Sequence, residues 1–274
     1  MPILRQISLK TGKNTRSFMV HIIPKSGFAR TYLIEEDEGL MAVDVGSIGA
    51  AQEIEVYCTQ VLKKSLQDIR IITVTHFHID HIGGIGTLLQ KCSPETRVLF
   101  HPFVKEYLTG RREMSPMKNW LNGLIPTLIA SCSDIGSLSH VAFETLAGIP
   151  LSAMKNCCCL PYEPWIHYFD TGRLPSYRFG FGDWEIIATP GHTEDSVSFY
   201  SDAAKELICG DLIIGRQDGS SQLNHFYWDE DLIKEAFKML REIFSPRIIY
   251  PGHGDIIADD ENAFRKVGII SRSG

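Results

Sequence analysis

The feature that most constrains this chain is the run Thr75-His76-Phe77-His78-Ile79-Asp80-His81, which places four potential metal ligands within six residues. It follows Ile71 to Thr75, a nearly continuous β-branched run of the kind expected for a strand covered on both faces. On an extended segment, imidazoles at i and i+2 point the same way, while Asp80 and His81 can turn toward a neighbouring position as the chain enters Gly83 and Gly84. One short loop can thus serve two adjacent ions. Three more segments repeat the setting, each with a ligand beside glycine after a strand: Pro190-Gly191-His192-Thr193, Cys209-Gly210-Asp211 and Pro251-Gly252-His253-Gly254. Glycine lets such loops crowd around an ion. Any one of these histidines alone reads as an ordinary core or surface residue, but imidazole and carboxylate clusters at strand ends have few uses other than metal binding.

The rest of the chain supplies a frame for these loops. Met19 to Ile23, Thr31 to Ile34 and Leu40 to Val45 read as short strands, and the segment around Ile54, Tyr57, Cys58, Val61 and Leu62 has helical spacing. A short helix over Ile85 to Lys91 and a strand from Arg97 to His101 continue the pattern. Between Pro102 and Tyr177 the rhythm breaks, and this stretch reads as a mostly helical insertion. Strands resume at Trp184 to Thr189, Val197 to Ser201 and Leu207 to Cys209. A helix from Asp231 to Phe244, with apolar face Ile233, Phe237, Leu240 and Phe244, precedes a last buried strand at Ile248 to Tyr250. The expectation is one α/β (α+β) domain over residues 1–274, interrupted by a lid-like helical insertion at about 105–177.

Composition narrows the function. The N-terminus lacks the apolar run and cleavage site of a signal peptide, and the most apolar stretch, Leu121 to Ala130, falls far short of a membrane span, so a cytoplasmic protein without membrane attachment is expected. Seven cysteines, including the run Cys157, Cys158 and Cys159, do not form a spaced disulfide framework; reduced thiols are the default, and adjacent cysteines read as packing rather than as a metal site. A net charge of -6 without a basic run disfavours nucleic acid as a partner and leaves a small-molecule substrate.

Taken in order, the four ligand segments resemble the metallo-β-lactamase superfamily, in its dinuclear hydroxyacylglutathione-hydrolase-like (glyoxalase II-like) branch. The resemblance covers about Arg16 to Pro102 and Phe179 to Ile257 and leaves out the insertion. It implies a four-layer αβ/βα sandwich with metals at one edge. Carried over position by position, it implies that His76, His78 and His192 hold a first metal, that Asp80, His81 and His253 hold a second, and that Asp211 bridges both. Asp44, in the turn Val43-Asp44-Val45-Gly46, has two readings: support for the histidine loop, or a cap on the helix that follows. Those enzymes that hydrolyse β-lactams place Cys or Ser where Asp211 stands here.

Imidazole and carboxylate ligands suit two divalent ions, zinc in the first place, with iron or manganese as alternatives. The implied chemistry is hydrolysis by a metal-bridging hydroxide, with Asp80 relaying the proton and a small ester, thioester or lactone as substrate. A phosphodiesterase or nuclease of the same fold is one alternative; a diiron redox module working with a partner flavoprotein is another. Of the remaining histidines, His225 and the nearby Tyr227 are candidates for substrate contact. The apolar residues Trp120, Leu121, Leu124, Ile125, Leu128 and Ile129 of the insertion have three readings: an acyl-chain pocket, a private helical core or a homodimer contact. If the ligand assignment holds, His78→Ala loses bound metal and activity together and keeps its fold. Elemental analysis and circular dichroism check this, and retention of two metals would contradict it.

Overall fold

The computed structural model describes residues 19–150, 159–170, 175–216 and 220–269, and these form two sheets. The first runs in chain order through β1 (Met19–Ile22), β2 (Tyr32–Glu36), β3 (Gly39–Val43), β4 (Ile69–Thr73), β5 (Arg97–Phe100) and β6 (Ile166–Tyr168). Its first three strands are antiparallel, and β3 to β6 are parallel. The second contains β7 (Ser176–Arg178), β8 (Glu185–Ala188), β9 (Val197–Ser201), β10 (Glu206–Gly215), β11 (Ser221–Leu223), β12 (Ile248–His253), β13 (Ile257–Ala258) and β14 (Val267–Gly268). Its central order is β13-β12-β10-β9-β8-β7.

Alternation along the strands makes the layers. In β3, Leu40 and Ala42 pack outward with Ala50 and Ile54 of helix α1 (Ile48–Val56), whereas Met41 and Val43 pack inward with Trp184, Phe199 and Ile208 of the second sheet. The short helices α2 (Ile79–Ile82) and α3 (Ile85–Leu89) add Ile82, Ile85 and Leu88 to the outer layer. On the far side, Leu207 and Ile249 pack against Ile233, Phe237 and Leu240 of the last long helix (Glu230–Ile243). Helix, sheet, sheet and helix follow one another, which is the expected αβ/βα sandwich. No helix among the described residues is long and apolar enough to cross a membrane.

The segment expected as a helical insertion divides in two. Its first part carries α4 (Phe103–Leu108), a π-helical turn at Trp120–Leu124 that leads into α5 (Ile125–Ser131), and tight turns at Cys132–Asp134 and Leu138–Val141. Its last part supplies β6 and β7, the edge strands of the two sheets, whose three residues each are too few to show a period of two. The apolar residues of the α5 arm do not close into a core of their own: Trp120, Leu121, Ile125 and Ile129 are exposed and Leu124 and Leu128 half-buried, while Gly123, Thr127, Ala130 and Ser131 face the domain. Numbered in chain order, the long helix at Glu230–Ile243 is α6. Cys58, Cys92, Cys132, Cys159 and Cys209 are free thiols; Cys157 and Cys158 lie outside the described residues.

Burial makes the Glu206 carboxyl an electrostatic liability. The carboxyl of Glu206, at the start of β10, is pushed up to about 7 by burial, and the Tyr250 hydroxyl bonded to it only partly offsets this. A carboxyl raised in the folded state holds its proton better there than in the unfolded chain. Stability therefore falls as pH climbs from the ordinary 4.5 to about 7 and is level above that. Glu206→Gln is expected to be more stable than the parent at pH 8, by on the order of 2–3 kcal/mol, with the gap closing below about pH 4.5. Urea unfolding at the two pH values measures it.

Candidate metal centre

The histidine loop is fixed from behind before any ligand is considered. β3 ends at Val43 and β4 at Thr73, two residues earlier than the apolar runs predict, because Asp44 and Thr75 turn to each other. Asp44 is fully buried with φ +59, and its carboxylate accepts the Thr75 N–H (2.8 Å) and Thr75 Oγ1–H (2.9 Å) and lies 3.1 Å from His81 Nδ1. Ser47, not Asp44, caps α1, accepting the Ala50 N–H. A second buried carboxylate, Asp195, accepts the Phe77 N–H at 2.8 Å. Alternate amides of the loop are thus held by two acids, and His76 and His78 project to the same side.

Two glycines let the second sheet close on this loop. Gly210 has φ +50, and a Cβ there would stand 2.4 Å from Thr75 Oγ1; a Cβ on Gly252 would stand 2.2 Å from Asp211 Oδ1. Asp211 and His253 are not in loops after strands, as the glycines predict. Asp211 lies inside β10, where the pairing with β12 shifts register on either side of Gly210, and His253 ends β12. The irregular ladder turns the Asp211 carboxylate toward the histidines.

Three imidazole nitrogens converge on one point: His76 Nε2 and His78 Nδ1 are 3.0 Å apart, and His192 Nε2 is 3.2 Å from each. His192 Nδ1 donates to the Phe226 carbonyl at 2.6 Å, and His76 Nδ1 lies 3.2 Å from the Thr75 hydroxyl, whose hydrogen goes to Asp44. With the protons of His76 and His192 used there, their converging nitrogens present lone pairs to each other and to His78 Nδ1, which is unfavourable without a cation between them. Tetrahedral zinc with nitrogen at about 2.0–2.1 Å would set its donors about 3.3 Å apart, close to what is found. Beside this set, Asp80, His81 and His253 form another, their ligand atoms within 4.8 Å of one another. Asp211 stands between the two: Oδ2 is 3.5 Å from His192 Nε2 and 3.2 Å from His253 Nε2, and Oδ1 is 3.4 Å from His81 Nε2. His81 Nε2 and Asp211 Oδ1 are buried without a hydrogen-bond partner, as atoms kept for an ion would be.

The electrostatics divide along the same line. Burial, reinforced by neighbouring imidazoles, holds His76 and His78 well below the usual imidazole range; His192 is lowered too, chiefly by burial, with Asp211 opposing. These three are neutral and ready to donate to a metal. Burial also presses on His81 and His253, but Asp44 and Asp211 outweigh it at His81, and Asp211 and Asp80 at His253, so both sit above the usual range. Burial would raise Asp211, yet His253, His81 and His192 hold it well below the carboxylate range. The second set asks for positive charge, and a divalent ion meets that demand. Both sets fit divalent metal.

His225 and Tyr227 are placed differently from the ligands. The Tyr227 hydroxyl donates to Glu230 at 2.8 Å, and half-buried His225 lines a small cavity behind α5 with Arg216 and Asn224. The residues between and beside them do touch the site, through the Phe226 carbonyl and through Asn224 Nδ2, 3.4 Å from His192 Nδ1. His101, which follows β5, accepts the Phe103 N–H and is pushed down to about 4, mainly by burial. Asp195, Asn224, Phe226 and Ser131, whose Oγ is 2.8 Å from His253 Nδ1, carried no ligand pattern in the sequence. An Asp three residues after His192 is the one local signal of these that the sequence offers.

The family model for the metallo-β-lactamase superfamily matches residues 26–253, ending on the last of the ligand histidines. Among curated relatives, the chain is 27% identical over 247 residues to the probable metallo-hydrolase YqgX of Bacillus subtilis, covering 86% of this chain and 92% of that one. It is 26% identical over 244 residues to the probable metallo-hydrolase YflN of the same organism, with 82% and 80% covered. Among solved structures it is similar to the BLEG-1 B3 metallo-β-lactamase, at TM-score 0.55 and 18% identity, over 88% of this chain and 94% of that one. It is also similar to the chemotaxis sensor ODP, solved as a peroxy diiron species, at TM-score 0.53 and 11% identity, with 94% and 91% covered. At these identities the structural likeness speaks to the fold, and the family model to descent. By a match that spans both sheets and every ligand loop, this chain belongs to the metallo-β-lactamase superfamily.

Proposed function

We propose that the protein is a dinuclear metal-dependent hydrolase of a small carboxylic ester, thioester or lactone, of the hydroxyacylglutathione-hydrolase-like branch, with zinc as its metal. The observation that carries this reading is the Asp211 carboxylate, set between His192 on one side and His81 and His253 on the other. A carboxylate there joins two ligand sets, where the lactam-cleaving branch has a thiol or hydroxyl. The names of the curated relatives, probable metallo-hydrolases, support the same class.

His76, His78 and His192 would hold one ion, Asp80, His81 and His253 the other, and Asp211 both. When bound, such a pair supplies a water activated near neutral pH and a Lewis acid for the acyl oxygen. The chain's own residues do the rest. Asp44 and Asp195 keep the loop rigid through the amides of Thr75 and Phe77. Asp80, with 23% of its side chain exposed, is the most open of the ligand side chains and can pass a proton to solvent. The exposed stripe of Leu121, Ile125 and Ile129 is read as a homodimer contact, since contiguous exposed apolar surface marks interfaces.

Metal-reconstituted protein is expected to turn over members of an ester, thioester and lactone panel and to leave bis(p-nitrophenyl) phosphate nearly untouched, which a net charge of -6 favours. Chelation abolishes the activity, and Asp80→Asn, which removes a metal ligand together with the proton relay, lowers kcat by at least roughly 10²-fold. Phosphodiester turnover alone would contradict the reading.

A further inference from the structure

The ligand imidazoles differ in what holds their outer nitrogen. Thr75 serves His76, Asp44 serves His81 and the Phe226 carbonyl serves His192, all from the strands and the loops that join them. His253 is held in part from elsewhere. Its Nδ1 lies 2.8 Å from the Phe28 carbonyl and 2.8 Å from Oγ of Ser131, the last residue of α5 in the insertion. Ser131 is fully buried and donates its own hydrogen to the Thr127 carbonyl at 3.1 Å, so toward His253 its oxygen accepts. The Phe28 carbonyl, which can only accept, sets the tautomer that leaves Nε2 facing Asp211 and Asp80, and the insertion adds the Ser131 oxygen as a second acceptor for the same Nδ1–H.

A second grip sits beside the first. The Arg30 N–H donates to the carbonyl of Gly252, next to the ligand, at 2.7 Å. Its guanidinium is 3.1 Å from Asp255, two residues past His253, and 3.2 Å from Asp134, in the turn that follows α5. The arm also meets Phe226, through the ring of Trp120 and the backbone of Gly123, contacts that do not involve Ser131.

We propose that Ser131 is a positioning residue for the Asp80–His81–His253 set, and that docking of the α5 arm and metal binding at that set are linked. This rests on the two-ion reading of the site. Outer partners of ligating histidines orient the ring and raise its basicity, and a coupling of this kind is reciprocal: if the docked arm strengthens the metal, the metal must hold down the arm. The exposed apolar face of α5 then comes under control of metal occupancy.

Metal-stripped protein is titrated with Zn²⁺ by calorimetry, and amide hydrogen exchange over residues 125–131 is followed as each equivalent binds. Wild type takes two equivalents. Ser131→Ala is expected to weaken one of them by roughly 10–100-fold while the other stays within about twofold, and Ser131→Thr, which keeps the hydroxyl, restores it. The weakened equivalent is the one that Asp80→Asn also loses. In wild type, protection of 125–131 rises more with that equivalent than with the other, which reaches the arm only through Phe226. Unchanged affinity in Ser131→Ala, equal loss of both equivalents, or exchange indifferent to metal overturns the proposal. The exchange experiment needs no variant to fold. A wild type that binds one equivalent overturns the two-ion reading with it, whereas two equivalents indifferent to Ser131 overturn this inference alone.

Discussion

The structure is organised around the cost of burying the Asp211 carboxylate. At 5% exposure, within β10, this group has been taken out of water, and an ionised carboxylate so placed costs several kcal/mol unless opposite charge and donors surround it. What surrounds it is His192, His81 and His253, drawn from three separate segments. The demand propagates outward. His81 needs Asp44, Asp44 needs Thr75, and Thr75 sits at the crossing where Gly210 admits β10 and where its carbonyl accepts the Val197 N–H of the second sheet at 2.8 Å. The contact between the two sheets at this edge is made by the same residues that support the site.

Away from that edge, stability and chemistry rest on different residues. The apolar layers, with Trp184, Tyr32 and Phe199 between the sheets and Phe237 and Leu240 outside them, lie along the strands, whereas the candidate ligands occupy the loops and the short helix α2 beyond strand ends, the end of β12 and one bulge. Removing a ligand is expected to leave the layers intact. Some buried polar groups tie the two regions together, as when the Tyr32 hydroxyl donates to the Pro251 carbonyl at 2.6 Å, two residues before His253. Rigidity at the site is therefore borrowed from the core, which suits a centre whose donors must be placed in advance for the ions they would hold.

The residues that converge at the candidate site were legible in the sequence because metal chemistry admits few residue types, and because glycine marks where loops approach. The four layers were legible from alternation in strands such as β3 and from the face of α6. What the sequence hid has physical causes. A glycine that ends a strand and one that kinks it look alike, so Asp211 was expected in a loop although Gly210 lies at a bulge within β10. Strands of three residues, such as β6 and β7, show no period. Asp44 had two readings, separated when Ser47 proved to cap α1. Ser131 was invisible because a serine at the end of a helix has no pattern that points to a histidine 122 residues away.

The central claim is that one carboxylate joins two ions, and electron paramagnetic resonance of Mn²⁺-loaded protein tests it most directly. Two Mn²⁺ ions sharing Asp211 are predicted to give the multiline spectrum of an exchange-coupled pair, which collapses to that of isolated ions in Asp211→Asn. A six-line spectrum of isolated Mn²⁺ in the fully loaded wild type, at two equivalents bound, would contradict the account.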